Sequence, residues 1–101
     1  MATVELTEAT AVAPGQSAEV VANGKIFAIF NVGGKYHVLD GICPHAGGPL
    51  GKGMLRGNVV TCPWHGWQFD VTNGHHCLNQ RLCQTNYPAR VESGKVVIEL
   101  E

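Results

Sequence analysis

Cys43-Pro44-His45-Ala46-Gly47-Gly48-Pro49-Leu50 and Cys62-Pro63-Trp64-His65-Gly66-Trp67-Gln68-Phe69-Asp70 form the stretch on which the reading of this chain turns. Each segment offers one thiol and one imidazole, as Cys-x-His in the first and Cys-x2-His in the second. Sixteen residues separate His45 from Cys62. A proline directly after each cysteine fixes one backbone angle and removes an N–H. Gly47-Gly48 and Gly66 let the backbone turn close to a bound group. Two loops of this kind can grip one metal centre from two sides, and a Cys2His2 donor set suits either zinc or an iron–sulfur centre.

Spacing separates those two options. Zinc sites with two cysteines and two histidines usually pair like with like, as C-x(2–4)-C and H-x(3–5)-H. Here each loop mixes the two ligand types, which is poor for a zinc finger. The mixture suits a two-iron cluster in which each loop supplies its cysteine to one iron and its histidine to the other.

Outward from the two loops the pattern is β. Thr3-Val4-Glu5-Leu6 alternates, and Pro14-Gly15 then marks a turn. Ser17 to Val21 and Lys25 to Val32 read as strands joined across Asn23-Gly24, a favoured hairpin dipeptide. Gly33-Gly34 turns the chain into a strand over Lys35 to Leu39. The Ile, Val and Phe content of these strands suits a sheet buried on at least one face. From Asp40 to Gly57 the chain is dense in glycine, with two prolines, which argues against a helix or a long strand. Met54-Leu55-Arg56 and Asn58 to Thr61 pair as a short hairpin across Gly57-Asn58, and Trp67 to Val71 is a further strand ended by Asn73-Gly74. His75 to Asn86 reads as a loop with room for a helical turn. Tyr87 to Glu92 and Lys95 to Glu99 close the chain as a hairpin across Ser93-Gly94. No segment sustains a 3.6-residue period, so no long helix is expected. About ten short strands in antiparallel hairpins predict a small all-β domain.

Composition bounds the function. At 101 residues the chain fits one domain, and 45% hydrophobic with 15% charged residues argues for a folded one. Seven basic against eight acidic side chains, a net charge of −1, leave no basic field for nucleic acid or an anionic membrane. The first residues lack the charged-then-apolar run of a signal peptide, and no apolar run approaches the ~18 residues of a membrane span. A cytoplasmic location is expected, where four cysteines serve as metal ligands or free thiols more readily than as disulfides.

The two loops together are similar to the signature of Rieske [2Fe–2S] proteins, almost throughout Cys43 to Leu50 and Cys62 to Asp70. The likeness continues more weakly through Tyr87 to Glu92, which resembles the return strand of soluble Rieske ferredoxins. The resemblance implies stacked antiparallel sheets with two cluster-binding loops at one end. It implies a single domain over 1–101, with a cluster-binding subdomain of about 41–86 inserted in a β base formed by 1–40 and 87–101. It also implies one [2Fe–2S] cluster held by Cys43, His45, Cys62 and His65. Two ferric irons, two sulfides, two thiolates and two neutral imidazoles sum to zero charge, whereas four thiolates would give −2. Adding an electron to the neutral centre costs less, so exchanging cysteine for histidine raises the potential.

The implied function is that of an electron carrier, not an enzyme by itself, because the chain is too short for a catalytic iron domain. Such a ferredoxin takes electrons from an NAD(P)H-dependent flavoprotein reductase. It delivers them to a terminal oxygenase, such as an aromatic-ring-hydroxylating dioxygenase of aromatic hydrocarbon catabolism or a multicomponent monooxygenase. Docking is expected near His45 and His65, with the chain a monomer. The small Rieske subunit of an assimilatory nitrite reductase and a structural zinc-binding interaction module are the competing readings.

Departures from the family pattern refine this. Respiratory-complex Rieske proteins carry an extra, disulfide-linked cysteine in each loop, at positions matching Gly48 and Trp64 here. Their hydroxyl donors to the cluster sulfurs match Trp67 and Phe69. Fewer hydrogen bonds to a reduced cluster place the potential toward the low end of the roughly −150 to +300 mV Rieske range. Trp67 is expected in the core and Trp64 as a partly exposed shield. Ile42, Pro44, Ala46, Pro49 and Pro63 would form an apolar rim that could serve in docking. His37, His75 and His76 are read as ordinary surface or hydrogen-bonded histidines, Cys77 and Cys83 as free thiols, and Asp70 as a turn residue.

Overall fold

The computed structural model describes residues 2–42, 47–64, 66–78 and 82–100. Their ten strands are β1 (Ala2–Glu8), β2 (Ser17–Ala22), β3 (Lys25–Val32), β4 (Lys35–Asp40), β5 (Met54–Arg56), β6 (Val59–Thr61), β7 (Gln68–Asp70), β8 (Asn86–Tyr87), β9 (Ala89–Glu92) and β10 (Lys95–Leu100). Two 3-10 turns, Ala9–Ala11 and Leu50–Lys52, are the only helical segments among the described residues. All strand pairs are antiparallel and form three sheets, ordered β1-β10-β9, β2-β3-β4-β8 and β5-β6-β7.

The second sheet is the middle layer. Along β3, Phe27 and Ile29 join a core with Val4, Leu6, Val12, Val38, Val96 and Ile98. Between them, Ala28 and Phe30 join a second core with Leu39, Leu50, Leu55, Val60, Phe69 and Val71. A strand's side chains alternate between faces, so this continuous apolar run serves both faces at once. The expectation of burial on at least one face thus resolves to burial on both. One polar side chain is buried in β3: Asn31 donates through Nδ2 to the carbonyl of Val12 at 2.8 Å and accepts from the Gly34 amide at 2.7 Å.

The hairpins form where turn chemistry dictates. Asn23 and Gly24 both adopt positive φ (51° and 72°), which matches the right-handed twist of the flanking strands. Ser93-Gly94 repeats the device between β9 and β10. The expected strand over Tyr87 to Glu92 is instead two: Pro88 has no N–H to donate, and β8 pairs with β4 while β9 pairs with β10. The segment read as a loop from His75 to Asn86 is also partly extended. Phe69 bridges His76 and His75 bridges Cys83, both antiparallel, so a narrow hairpin continues the third sheet beyond β7. The helical turn allowed for there is absent among the described residues.

Candidate metal centre

The third sheet and the loops that flank it carry the predicted ligands. Of the four, Cys62 is described; Cys43, His45 and His65 lie outside the described residues, as do Pro44 and Ala46. Each cysteine segment is closed at its base by backbone pairing. Ile42 and Pro49 form an antiparallel bridge around residues 43–48, and the Leu50 amide donates to the Gly41 carbonyl at 2.9 Å. In the second segment the Cys62 amide donates to the Trp67 carbonyl at 2.7 Å, continuing the β6–β7 pairing that ends at Thr61 and Gln68.

These closures bring the two loops together. Cys62 is 1% exposed, and its Sγ lies so near Gly48 that a Cβ there would stand 2.9 Å from the sulfur. The same Cβ would stand 2.9 Å from Cβ and Cγ of Trp64. Gly48 and Trp64, the positions matched to the respiratory disulfide, therefore do face each other, with an indole in the bridge's place. A thiol buried at the junction of two loops, against bare backbone, fits the sulfur-ligand role of a small inorganic centre. Among the described residues no three of His, Cys, Asp or Glu are grouped to hold a metal ion.

Cys62 belongs to the apolar core of the third sheet. Trp67 packs against the core of the third sheet, with its ring 6.4 Å from Phe69 and edge-on to His76 at 4.6 Å. His76 is buried, meets Phe69 at 5.2 Å and accepts from the Leu78 amide at its Nδ1 at 3.1 Å. It is hydrogen-bonded, as expected of it, and buried rather than at the surface. Trp64 is half exposed, and Ile42, Leu78 and Leu82 are exposed apolar residues on the neighbouring loops. Sequence reasoning named Ile42 but passed over Leu78 and Leu82, which belong to a segment with no periodic signal.

The remaining candidates have structural explanations. Asp70 accepts from the Thr72 amide at 2.9 Å and from Asn58 Nδ2 at 3.3 Å, and so fixes the turn after β7. Cys77 and Cys83 are exposed free thiols. Burial pushes the Cys77 thiol up in pKa, with Asp70 adding to the effect. His37, half-buried in β4, is lowered chiefly by burial and then by Lys35, with Asp70 acting in the opposite sense.

Sequence reasoning also missed Gln84. It is buried, and its Nε2 donates to the carbonyls of Asp40 at 2.7 Å and Ile42 at 2.5 Å, directly before the first cysteine segment. A glutamine in an aperiodic stretch offers no signal of this.

Comparison with known proteins gives a consistent picture. The family model described as Rieske [2Fe-2S] domain matches residues 2–88. The ferredoxin component of the naphthalene 1,2-dioxygenase system of Pseudomonas putida is 31% identical, over 97% of this chain and 98% of that protein. Other relatives match over part of their length. The chain spans 57% of the ferredoxin component of the Xanthobacter autotrophicus alkene monooxygenase system, at 39% identity over 67% of this chain. It spans 14% of cholesterol 7-desaturase nvd 1 of Ciona intestinalis, at 42% identity over 64% of this chain. Among solved structures, a Sphingomonas yanoikuyae B1 ferredoxin superimposes with a TM-score of 0.89 at 28% identity, covering 99% of this chain and 100% of that one. A chain from a complex of reduced oxygenase and oxidized ferredoxin in carbazole 1,9a-dioxygenase gives 0.86 at 26% identity, covering 98% and 97%.

Proposed function

The chain belongs to the Rieske [2Fe-2S] domain family, and on that premise we propose that it is the ferredoxin of a multicomponent oxygenase system. It carries single electrons from an NAD(P)H-dependent flavoprotein reductase to a terminal oxygenase, such as an aromatic-ring-hydroxylating dioxygenase. It is an electron-transfer component and not itself an enzyme. The observation that carries the reading is the buried Cys62 thiol seated against Gly48 where the two loops meet. Cys43, His45, Cys62 and His65 would hold one [2Fe–2S] cluster through two thiolates and two imidazoles. When bound, such a centre takes up and returns one electron at a potential raised by its two neutral imidazole ligands.

The chain's own residues supply position and enclosure. Backbone pairing closes the base of each cysteine segment, and Trp67, Phe69 and His76 pack against one another beside the core that buries Cys62. Ile42, Trp64, Leu78 and Leu82 present apolar surface for transient docking. The cluster-binding part of about 41–86 is an insertion into a base made by 1–40 and 87–101, and the protein works as a cytoplasmic monomer. Among the described residues no helix is long and apolar enough to cross a membrane.

Metal and sulfide analysis of the purified chain tests the assignment. Two irons and two acid-labile sulfides per chain are expected; zinc without sulfide would overturn it. In His45→Cys any assembled cluster gains negative charge, so its midpoint potential falls markedly. An unchanged midpoint would remove His45 from the ligand set.

A further inference from the structure

We propose that Gln84 is a positioning residue for the metal centre, holding the backbone that leads into Cys43 through a two-carbonyl clamp. The inference rests on the ligand set proposed above. It begins from the polar groups of Asp40, Gly41 and Ile42, the three residues before the first ligand. The Asp40 amide donates to Thr85 at 2.9 Å, the Gly41 amide to Ile26 at 2.9 Å, and the Gly41 carbonyl accepts from Leu50 at 2.9 Å. The carbonyls of Asp40 and Ile42 both point at one donor, the Nε2 of Gln84, at 2.7 and 2.5 Å.

A primary amide has two N–H groups on one nitrogen, so it can serve two carbonyls at once. Two acceptors around that atom also settle which end of the side chain is nitrogen. Gln84 is itself anchored: its backbone amide donates to the Gly74 carbonyl at 2.7 Å, and it is 6% exposed. A buried side chain with its backbone so held has few alternative rotamers. The clamp therefore ties the entry of the first cysteine segment to the hairpin that continues the third sheet. Because the second cysteine leaves that same sheet at the end of β6, the clamp also sets one loop relative to the other. Leu, Met or Glu at this position supplies none of the required donors at neutral pH, and Asn is one methylene shorter.

The test compares holoprotein carrying Gln84→Met with the wild type and with Asn31→Leu. Asn31 is an equally buried amide that holds a backbone carbonyl elsewhere, at Val12, so it controls for general destabilisation. The expected result for Gln84→Met is at least a tenfold faster loss of iron to a chelator, together with a shifted midpoint potential and altered EPR line shape. Asn31→Leu should lower the melting temperature while leaving the EPR line shape and potential unchanged. If Gln84→Met does not fold, Gln84→Asn, which keeps a neutral amide but is one methylene shorter, carries the same comparison. Potential and line shape equal to wild type in the folded variant, or equal changes in Asn31→Leu, would overturn the proposal. Failure of the ligand assignment is read separately, from iron and sulfide content of the wild type.

Discussion

At the scale of single residues, Gly48 shows how tightly the two loops meet. A methyl group there would stand 2.9 Å from the Cys62 sulfur and from the Trp64 side chain. Real Cβ atoms do not approach so closely, so the indole or the thiol must move. Overpacking of this kind typically costs about 1–3 kcal/mol. Gly48→Ala is therefore expected to lower iron and sulfide content per chain and to destabilise the holoprotein by that amount, read from urea denaturation and metal analysis. Gly74 makes the opposite face of the same point. Its φ is +81°, and a side chain there would overlap the carbonyl oxygen of Gln84, which is backbone and cannot swing aside. In the sequence Gly48 stands out only as a member of a glycine-rich stretch, and Gly74 only as half of a turn dipeptide. The close approach that makes them necessary comes from residues 14 and 10 positions further along the chain.

At the scale of elements, the third sheet is small, and its strands β5, β6 and β7 are three residues each. Such short strands hold together through what they bury. Phe69 of β7 is fully buried, packs in the same core as Phe30 of β3 and Val60 of β6, and touches both Trp67 and His76. Phe69→Ala is expected to cost about 3–5 kcal/mol, a large share of the roughly 5–15 kcal/mol by which domains are stable. A lowered urea midpoint and lost cluster absorbance should appear together, because this sheet also carries the Cys62 loop. The ion pairs tell the contrary story. Arg90 reaches Glu92 at 2.7 Å and Glu99 at 3.1 Å, but all three side chains are substantially exposed. Pairs of that kind contribute little once water and salt screen them. The β1-β10-β9 sheet rests on Val4, Leu6, Val96 and Ile98.

At the scale of the molecule, three layers share two cores, and titration of groups between the layers couples to stability. His37 has a folded-state pKa below its ordinary 6.5, mainly through burial. The unfolded chain therefore binds its proton first as the pH falls. The neutral imidazole leaves stability whole above pH 6.5, and stability declines below it until the folded imidazole is protonated as well. Replacing His37 by Gln should flatten the fall in melting temperature below about pH 6.5 relative to wild type. The difference should be modest because the ring is only partly buried. A wild-type slope equal to that of the variant would show that His37 does not contribute.

The sequence by itself determined the family and the local geometry: mixed Cys/His spacing marked the loops proposed to hold the cluster, and turn dipeptides placed the hairpins because backbone sterics act over two or three residues. Period-2 patterning and apolar content likewise identified nearly every strand. What only the tertiary structure decided is how those pieces meet. The run Phe27-Ala28-Ile29-Phe30 reads the same whether one face or two are covered, and its division between two cores depends on sheets contributed by distant segments. Pro88 splits one expected strand between two sheets, and the segment after Gly74 becomes a hairpin through pairing that its composition does not encode. Gln84 is the clearest case. Its function is set by two carbonyls more than forty positions back in the chain, and long-range hydrogen bonds leave no periodicity to read.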